Sequence, residues 1–361
     1  MKQYGGVTLM KKVMGVLIVL LSVILALPAA AVPDLSEDHL FYEEIMYLMD
    51  RGVIEGYPDG TIRPDAEVTR AEAVVMIGRL MDFDGTKRAT QFTDVPAGHY
   101  ASGWIAEAAE AGYVLGVGND KFEPNAPIIR GDMALIVERV FDLVFGIEST
   151  FTDVSAGAYY AEAINKILAA NITIGYPDRT FRPQVEVTRG QYAAFLARAL
   201  EPEFKNDAVI EGSYQKDKTK VYSYENADGT TEAHSFEDVP DRGGLVYGFM
   251  WSVDTDDGNY EYLELENYDY LAYGYPYSEG DVAIVYPVRV GKTFTNGMED
   301  ETITLEITGV NVTVETAYQT FSNAVEITNE DGDKYYMVEG FGTVKSVNAE
   351  GDVIMELLNV E

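Results

Sequence analysis

The sequence predicts a multidomain α + β protein, a helical half of three repeats followed by an antiparallel β domain. Three observations lead there. Blocks of similar residues recur about every sixty positions between residues 34 and 202. The hydrophobic period then changes from helical to alternating after Lys205. An apolar leader precedes both halves.

In the leader, Lys2, Lys11 and Lys12 come before the apolar run Val13–Leu27, and Pro28 and Ala29-Ala30-Ala31 follow. This is the pattern of a secretory signal peptide over residues 1–31. The run is 15 residues long, short of the roughly 20 that cross a bilayer. Stable membrane insertion after cleavage is therefore not expected.

Arg70, Arg130 and Arg189 lie 60 and 59 residues apart and set the register of the repeats, at 32–85, 90–145 and 149–202. Each unit reads as helix, loop, helix. Ile45, Leu48 and Met49 in the first leading helix match Ile105, Ala108 and Ala109, then Ile164, Ile167 and Leu168, one apolar face at i, i+3, i+4. Gly52, Gly112 and Asn171 follow as left-handed C-caps. Gly56-Tyr57-Pro58-Asp59-Gly60 and Gly175-Tyr176-Pro177-Asp178-Arg179 are turns by composition. A second helix follows each turn. Thr69 with Glu72, and Thr188 with Gln191, fit the capping box that opens it, whereas the second unit has Ile129 and Asp132 at these places.

The box puts Arg70 and Arg189 at the first helical position, with Arg130 at the equivalent place, where a cation opposes the helix dipole. A recurring Arg there points to an anionic partner held by a guanidinium and helix-end N–H groups. An intramolecular pair with an acid such as Asp94 or Asp153 explains it equally well. Because Ile129 supplies no capping oxygen, the second groove is expected to be the poorest receptor, and Arg130 the least important of the three.

Beyond a linker at 203–210, residues 211–361 read as an acidic, Tyr-rich β domain. Residues 205–361 hold 15 of the 25 Tyr, and 32 acids against 9 bases. Alternation in Tyr260–Leu265, Ile303–Ile307 and Val353–Leu357 marks half-buried strands. Asp228-Gly229, Asp257-Gly258, Asp331-Gly332 and Glu350-Gly351 mark hairpin turns, so an open barrel or sandwich is expected. Asp254, Asp256 and Asp257, with Asn259, offer oxygens to calcium but fit a solvated hairpin tip better, so no metal is assigned. Tyr268, Tyr270, Tyr273, Tyr275 and Tyr277 could stack on carbohydrate, or simply form one face of a strand.

A net charge of −34 repels phosphate backbones and excludes a general nucleic-acid binder. With no Cys there is neither a disulfide framework nor a thiolate site. The three histidines, His39, His99 and His234, are far apart in sequence. No nucleophile elbow, HExxH, P-loop or dinucleotide fingerprint occurs. The expectation is a protein without cofactor or catalytic residues.

On the residues quoted above, the three units resemble S-layer homology domains. In unit one that family's usual Trp is replaced by Leu40 and its opening Phe-x-Asp-Val by Val32-Pro33-Asp34-Leu35. The resemblance implies a pseudo-threefold helical spindle whose grooves bind a secondary cell-wall polysaccharide attached to peptidoglycan, often through a pyruvate-ketal carboxylate on the box Arg. Carried over by position, the polymer-binding candidates are Arg70, Arg130 and Arg189, with Tyr57 and Tyr176 in the loops and Tyr100 and Tyr160 by the leading helices. Residues 286–294, 321–325 and 335–345 resemble an uncharacterised β domain of bacterial lipoproteins and exported proteins, which implies no activity. The expected function is non-covalent anchoring of an exported, non-enzymatic protein to the cell wall. The alternatives are a tethered wall-active enzyme and a subunit of a surface array.

Overall fold

The computed structural model describes residues 32–144, 146, 149–201, 204, 212–237, 249–274, 280–296 and 302–361. The expected signal peptide and most of the linker lie outside the described residues.

Among the described residues the helical half has six helices in three pairs: α1 (Tyr42–Asp50) and α2 (Arg70–Leu80), α3 (Ser102–Glu110) and α4 (Arg130–Val140), α5 (Ala161–Ala169) and α6 (Arg189–Leu200). The leading helix of each repeat packs against the second helix of the repeat before it, α3 on α2, α5 on α4 and α1 on α6. The three repeats thus close into a ring around one core that includes Ile45, Leu48, Ile105, Met133, Ile164 and Leu196. Gly52, Gly112 and Asn171 take the left-handed C-cap conformation, at φ 70°, 80° and 55°.

Two devices recur in every repeat. An Asp at its start cradles the loop before the second helix: Asp34 accepts from the N–H of Ile62 and Arg63, Asp94 from Phe122 and Glu123, and Asp153 from Phe181 and Arg182, all at 2.7–2.8 Å. Asp34 fills this role although its neighbours depart from Phe-x-Asp-Val. The second device sits on the pseudo-threefold axis, where fully buried Val68, Ile128 and Val187 form a cycle. Val68 N–H donates to Val187 O (2.9 Å), Val187 N–H to Ile128 O (3.0 Å) and Ile128 N–H to Val68 O (2.9 Å).

Among the described residues the β half is a meander of twelve antiparallel strands: β1 (Val221–Asn226), β2 (Thr231–Glu237), β3 (Phe249–Thr255), β4 (Gly258–Glu266), β5 (Tyr270–Gly274), β6 (Gly280–Val285), β7 (Thr293–Asn296), β8 (Ile303–Glu315), β9 (Thr320–Asn329), β10 (Lys334–Val338), β11 (Gly342–Val347) and β12 (Val353–Val360). Sequential strands pair, except across the β6–β7 gap, and β1 pairs β12. The sheet curls until its edges β6 and β7 meet, a nearly closed barrel. At that seam the Asn296 side-chain amide imitates a backbone. Its Oδ1 accepts from Val282 N–H and its Nδ2 donates to Val282 O, both at 2.8 Å. The four predicted Gly turns connect β1–β2, β3–β4, β9–β10 and β11–β12. Asp254 pairs with Asn259 across the β3–β4 turn, and no cluster of three metal-ligating side chains occurs among the described residues. Tyr270 is buried beside Leu265 and Ala272, so it cannot belong to an exposed stacking platform. Tyr275 and Tyr277 lie outside the described residues.

The segment Ser213–Asp217 crosses one end of the barrel and plugs it. Ser213 O accepts from Gly340 N–H (2.9 Å) on one side, while the Ser213 hydroxyl donates to Glu266 Oε2 (2.7 Å) on the other. The plug delivers Lys216 to the interior, where Glu264 accepts from Lys216 N–H (3.4 Å) and Trp251 Nε1 (3.1 Å). Burial pushes the Glu264 carboxyl up to about 7, against the pull of the Lys216 charge and the Trp251 hydrogen bond.

Because Glu264 binds its proton more tightly folded than unfolded, its contribution to stability is fully present below pH 4.5 and is lost as pH rises through about 7. In a Trp104→Phe background, Trp251 emission should titrate with a midpoint near 7, and Glu264→Gln should abolish the transition. An emission profile flat between about pH 5 and about pH 9 would contradict this assignment.

Candidate groove site

Each second helix starts as the sequence requires. Thr69 Oγ1 accepts from Glu72 N–H (3.2 Å) while Glu72 Oε2 accepts from Thr69 N–H (2.9 Å), and Thr188 and Gln191 repeat this at 3.2 Å for both bonds. Ile129 provides no side-chain cap. Yet α4 is as long as α2, 11 residues each. Its first two N–H groups are held by the next repeat, Arg130 N–H by Val185 O and Gly131 N–H by Pro183 O, both at 2.9 Å. Arg70 and Ala71 make the same bonds to Ala126 O and Pro124 O, and Arg189 and Gly190 to Ala66 O and Pro64 O. These helix-end donors, expected to await a ligand carboxylate, are therefore already engaged within the ring.

The box arginines are inter-repeat ties as well. Nε of Arg70 donates to Phe122 O (2.8 Å), Nε of Arg130 to Phe181 O (2.8 Å) and Nε of Arg189 to Ile62 O (2.7 Å). All three are at least nine-tenths buried. What distinguishes the grooves is the company of the outer nitrogens. Each groove collects an Arg from one repeat, a loop residue and the third helical residue from the next, and a leading-helix residue from the repeat after that.

In the Arg70 groove, Nη1 pairs with Asp132 Oδ2 at 2.6 Å, and Tyr159 donates to the other oxygen of Asp132 at 2.7 Å. In the Arg189 groove, Nη2 donates to Glu55 O (3.2 Å) and Tyr57 donates to Glu72 Oε1 (2.6 Å). Burial works to raise the Glu72 carboxyl, but hydrogen bonds from Tyr57 and Thr69 and the Arg189 charge hold it below the usual range. Tyr100, half exposed, completes this groove near Glu72, Thr69 and Arg189.

The Arg130 groove differs. Its third helical residue is the neutral Gln191, and neither Nη of Arg130 makes a hydrogen bond or an ion pair among the described residues. The guanidinium lies over Phe181, Phe195 and Tyr176, with centroids 4.7, 5.3 and 5.1 Å away. A cavity of about 200 Å³ opens beside it, lined by Leu40, Phe41, Tyr176, Gln191 and Arg198 among others. Arg198 is balanced by Glu44 at 3.6 Å, so Arg130 carries the uncompensated charge.

Three expectations need correction. The intramolecular partner of an Arg is Asp132, because Asp94 and Asp153 are committed to loop N–H groups. Tyr160 is no groove residue: it is buried, and a Cβ on Gly131 would lie 2.6 Å from its ring. The exposed Tyr159, at the place of Tyr100, takes the groove position and was missed. The frayed helix start expected at Ile129 is not seen, since α4 begins on bonds to Val185 O and Pro183 O, and among the described residues Arg130 is the box arginine with both outer nitrogens open. Glu72, Asp132 and Gln191 were legible as helix-start residues; the sequence signal overlooked was that only the third is uncharged.

Comparison with known proteins agrees with this architecture. The S-layer homology domain model matches residues 33–74, 91–134 and 150–193. Cell surface glycoprotein 1 of Acetivibrio thermocellus is 32% identical over 165 residues, 42% of this chain and 7% of that protein. The cellulosome-anchoring protein of the same organism is 31% identical over 168 residues, 44% of this chain and 37% of that one. S-layer protein sap of Bacillus anthracis is 29% identical over 181 residues, 49% of this chain and 22% of that protein. The chain thus spans well under half the length of these curated relatives. Its helical half consists of three S-layer homology domains.

Proposed function

We propose that this is an exported, non-enzymatic protein held non-covalently on the cell surface, its three S-layer homology domains binding a carboxylate-bearing, pyruvylated secondary cell-wall polymer and its β barrel displayed outward. Cell-wall anchoring is supported by the three domains and by similarity to proteins named for anchoring and for S-layers. The non-enzymatic reading is supported by the sequence, which carries no recognisable catalytic motif.

The observation that carries the polymer assignment is the Arg130 groove, where a buried guanidinium keeps both Nη groups open, faces Gln191 and borders a cavity. A carboxylate seated there gains a charge-assisted, bidentate pair in a partly desolvated site. In the Arg70 groove the same carboxylate would have to displace Asp132, and in the Arg189 groove it would approach Glu72. Arg130 is therefore the principal contact, with Arg70 and Arg189 chiefly closing the ring.

Gln191→Glu tests this without touching an arginine. Glu preserves the capping box, as Glu72 does in the first repeat, so thermal stability should hold. Retention on purified wall sacculi should fall about tenfold or more, the equivalent of losing a bond of roughly 1.5–3 kcal/mol. Asp132→Asn, which frees Arg70, should leave retention equal or higher. Undiminished retention of Gln191→Glu would refute the groove assignment, and equal retention on sacculi stripped of their polymer by hydrofluoric acid would refute the polymer.

A further inference from the structure

The β barrel contains a cavity of about 590 Å³. Its lining comes from β2 and from every strand from β4 to β12, so it is the lumen itself, closed at one end by the Ser213–Asp217 plug. Lumens of this size hold one small ligand when side chains leave them unfilled. The walls are largely apolar, with Leu305, Ile327, Met337 and Met355 facing the rings of Tyr262 and Tyr273.

Lys216 provides the polar end. It is 6% exposed, and its ammonium lies among four rings, with centroids of Tyr262, Tyr273, Trp251 and Tyr224 at 5.2, 5.2, 5.5 and 6.0 Å. Among the described residues one of its three donors is used, on Tyr262 Oη at 2.9 Å. No carboxylate reaches ion-pair distance among the described residues, since Glu264 is turned to Trp251 Nε1 and the Lys216 backbone. The Tyr273 hydroxyl, also buried on this lining, makes no well-formed hydrogen bond among the described residues, with Thr343 as its polar neighbour. Buried donors left this way cost free energy that an acceptor entering the lumen would recover.

We propose that the barrel lumen binds a small organic carboxylate with an aliphatic or aromatic body, its carboxylate seated on Lys216 Nζ within reach of the Tyr273 hydroxyl. A single cation fits a monoanion better than a phosphate. His234, the other basic residue on the lining, is kept neutral near pH 7 by burial and by Lys216, its pKa falling to about 4. Hydrogen bonds from Tyr262 Oη to His234 Nδ1 (3.3 Å) and from His234 Nε2 to Glu232 (3.2 Å) hold the acceptor of Lys216 in place. This site is independent of the wall-binding grooves.

Titration calorimetry on the full chain with octanoate and 2-naphthoate tests the proposal, with 2-naphthamide as the neutral counterpart. At least one carboxylate should bind with a stoichiometry of one, and the amide at least tenfold more weakly. Lys216→Met should remove the preference for the acid over the amide. Ala283→Trp, which fills the lumen from β6 and leaves the Lys216 cage intact, should abolish binding of both naphthyl compounds while the far-ultraviolet spectrum is retained. Failure of both carboxylates to bind, equal binding of acid and amide, or a full acid preference in Lys216→Met would each overturn the assignment.

Discussion

The helical half depends on a closed cycle of three backbone hydrogen bonds. Val68, Ile128 and Val187 each donate to one of the others and accept from the third, on an axis where all three are fully buried. A buried N–H left without an acceptor costs about 1–3 kcal/mol. No repeat can satisfy its own member of the cycle, nor its own Arg Nε, nor the first two N–H groups of its second helix. Each of these depends on a neighbouring repeat. The number three is thus a requirement of hydrogen bonding as well as of hydrophobic burial.

This constraint divides the arginine side chain between two tasks. Nε is committed to a carbonyl of the next repeat and fixes the guanidinium, which leaves the Nη groups as the part that can meet a ligand. Whether they do is decided one repeat further on, at the third residue of the following helix. Asp132 and Glu72 place a negative charge in two grooves, and Gln191 leaves the third cationic. The three nearly equivalent grooves therefore differ in charge by the residue type at one position of each repeat.

Much of this was legible in the sequence. Helical spacing, the left-handed caps and the Thr69 and Thr188 boxes marked the helices, while alternation marked parts of β4, β8 and β12 and the Gly turns marked four of the hairpins. Groove chemistry was not legible in the same way, because each groove joins residues from three repeats, such as Arg70, Asp132 and Tyr159, that no local pattern connects. Tyr160 was misplaced by one position for the same reason: neighbouring Tyr159 and Tyr160 differ only in which of them meets Gly131 and the core. In the β half, strand alternation could not reveal that a segment outside the strands, Ser213–Asp217, would carry a lysine into the lumen.

The two halves also touch. Arg179 stands where the first repeat has Gly60, at a positive φ that suits glycine better, and its guanidinium pairs with Asp269 before β5. Thr150 bonds to the same carboxylate. The left-handed strain at Arg179, about 1–2 kcal/mol, is thereby set against a tie from the third repeat to the barrel. The central claim concerns the ring, and hydrogen exchange tests it most directly. With Arg189→Met loosening one junction, peptides containing Val68, Ile128 and Val187 should lose protection together and by the same factor. Loss confined to the peptides around Val68 and Val187, with Ile128 unchanged, would show that the repeats open independently and contradict the account.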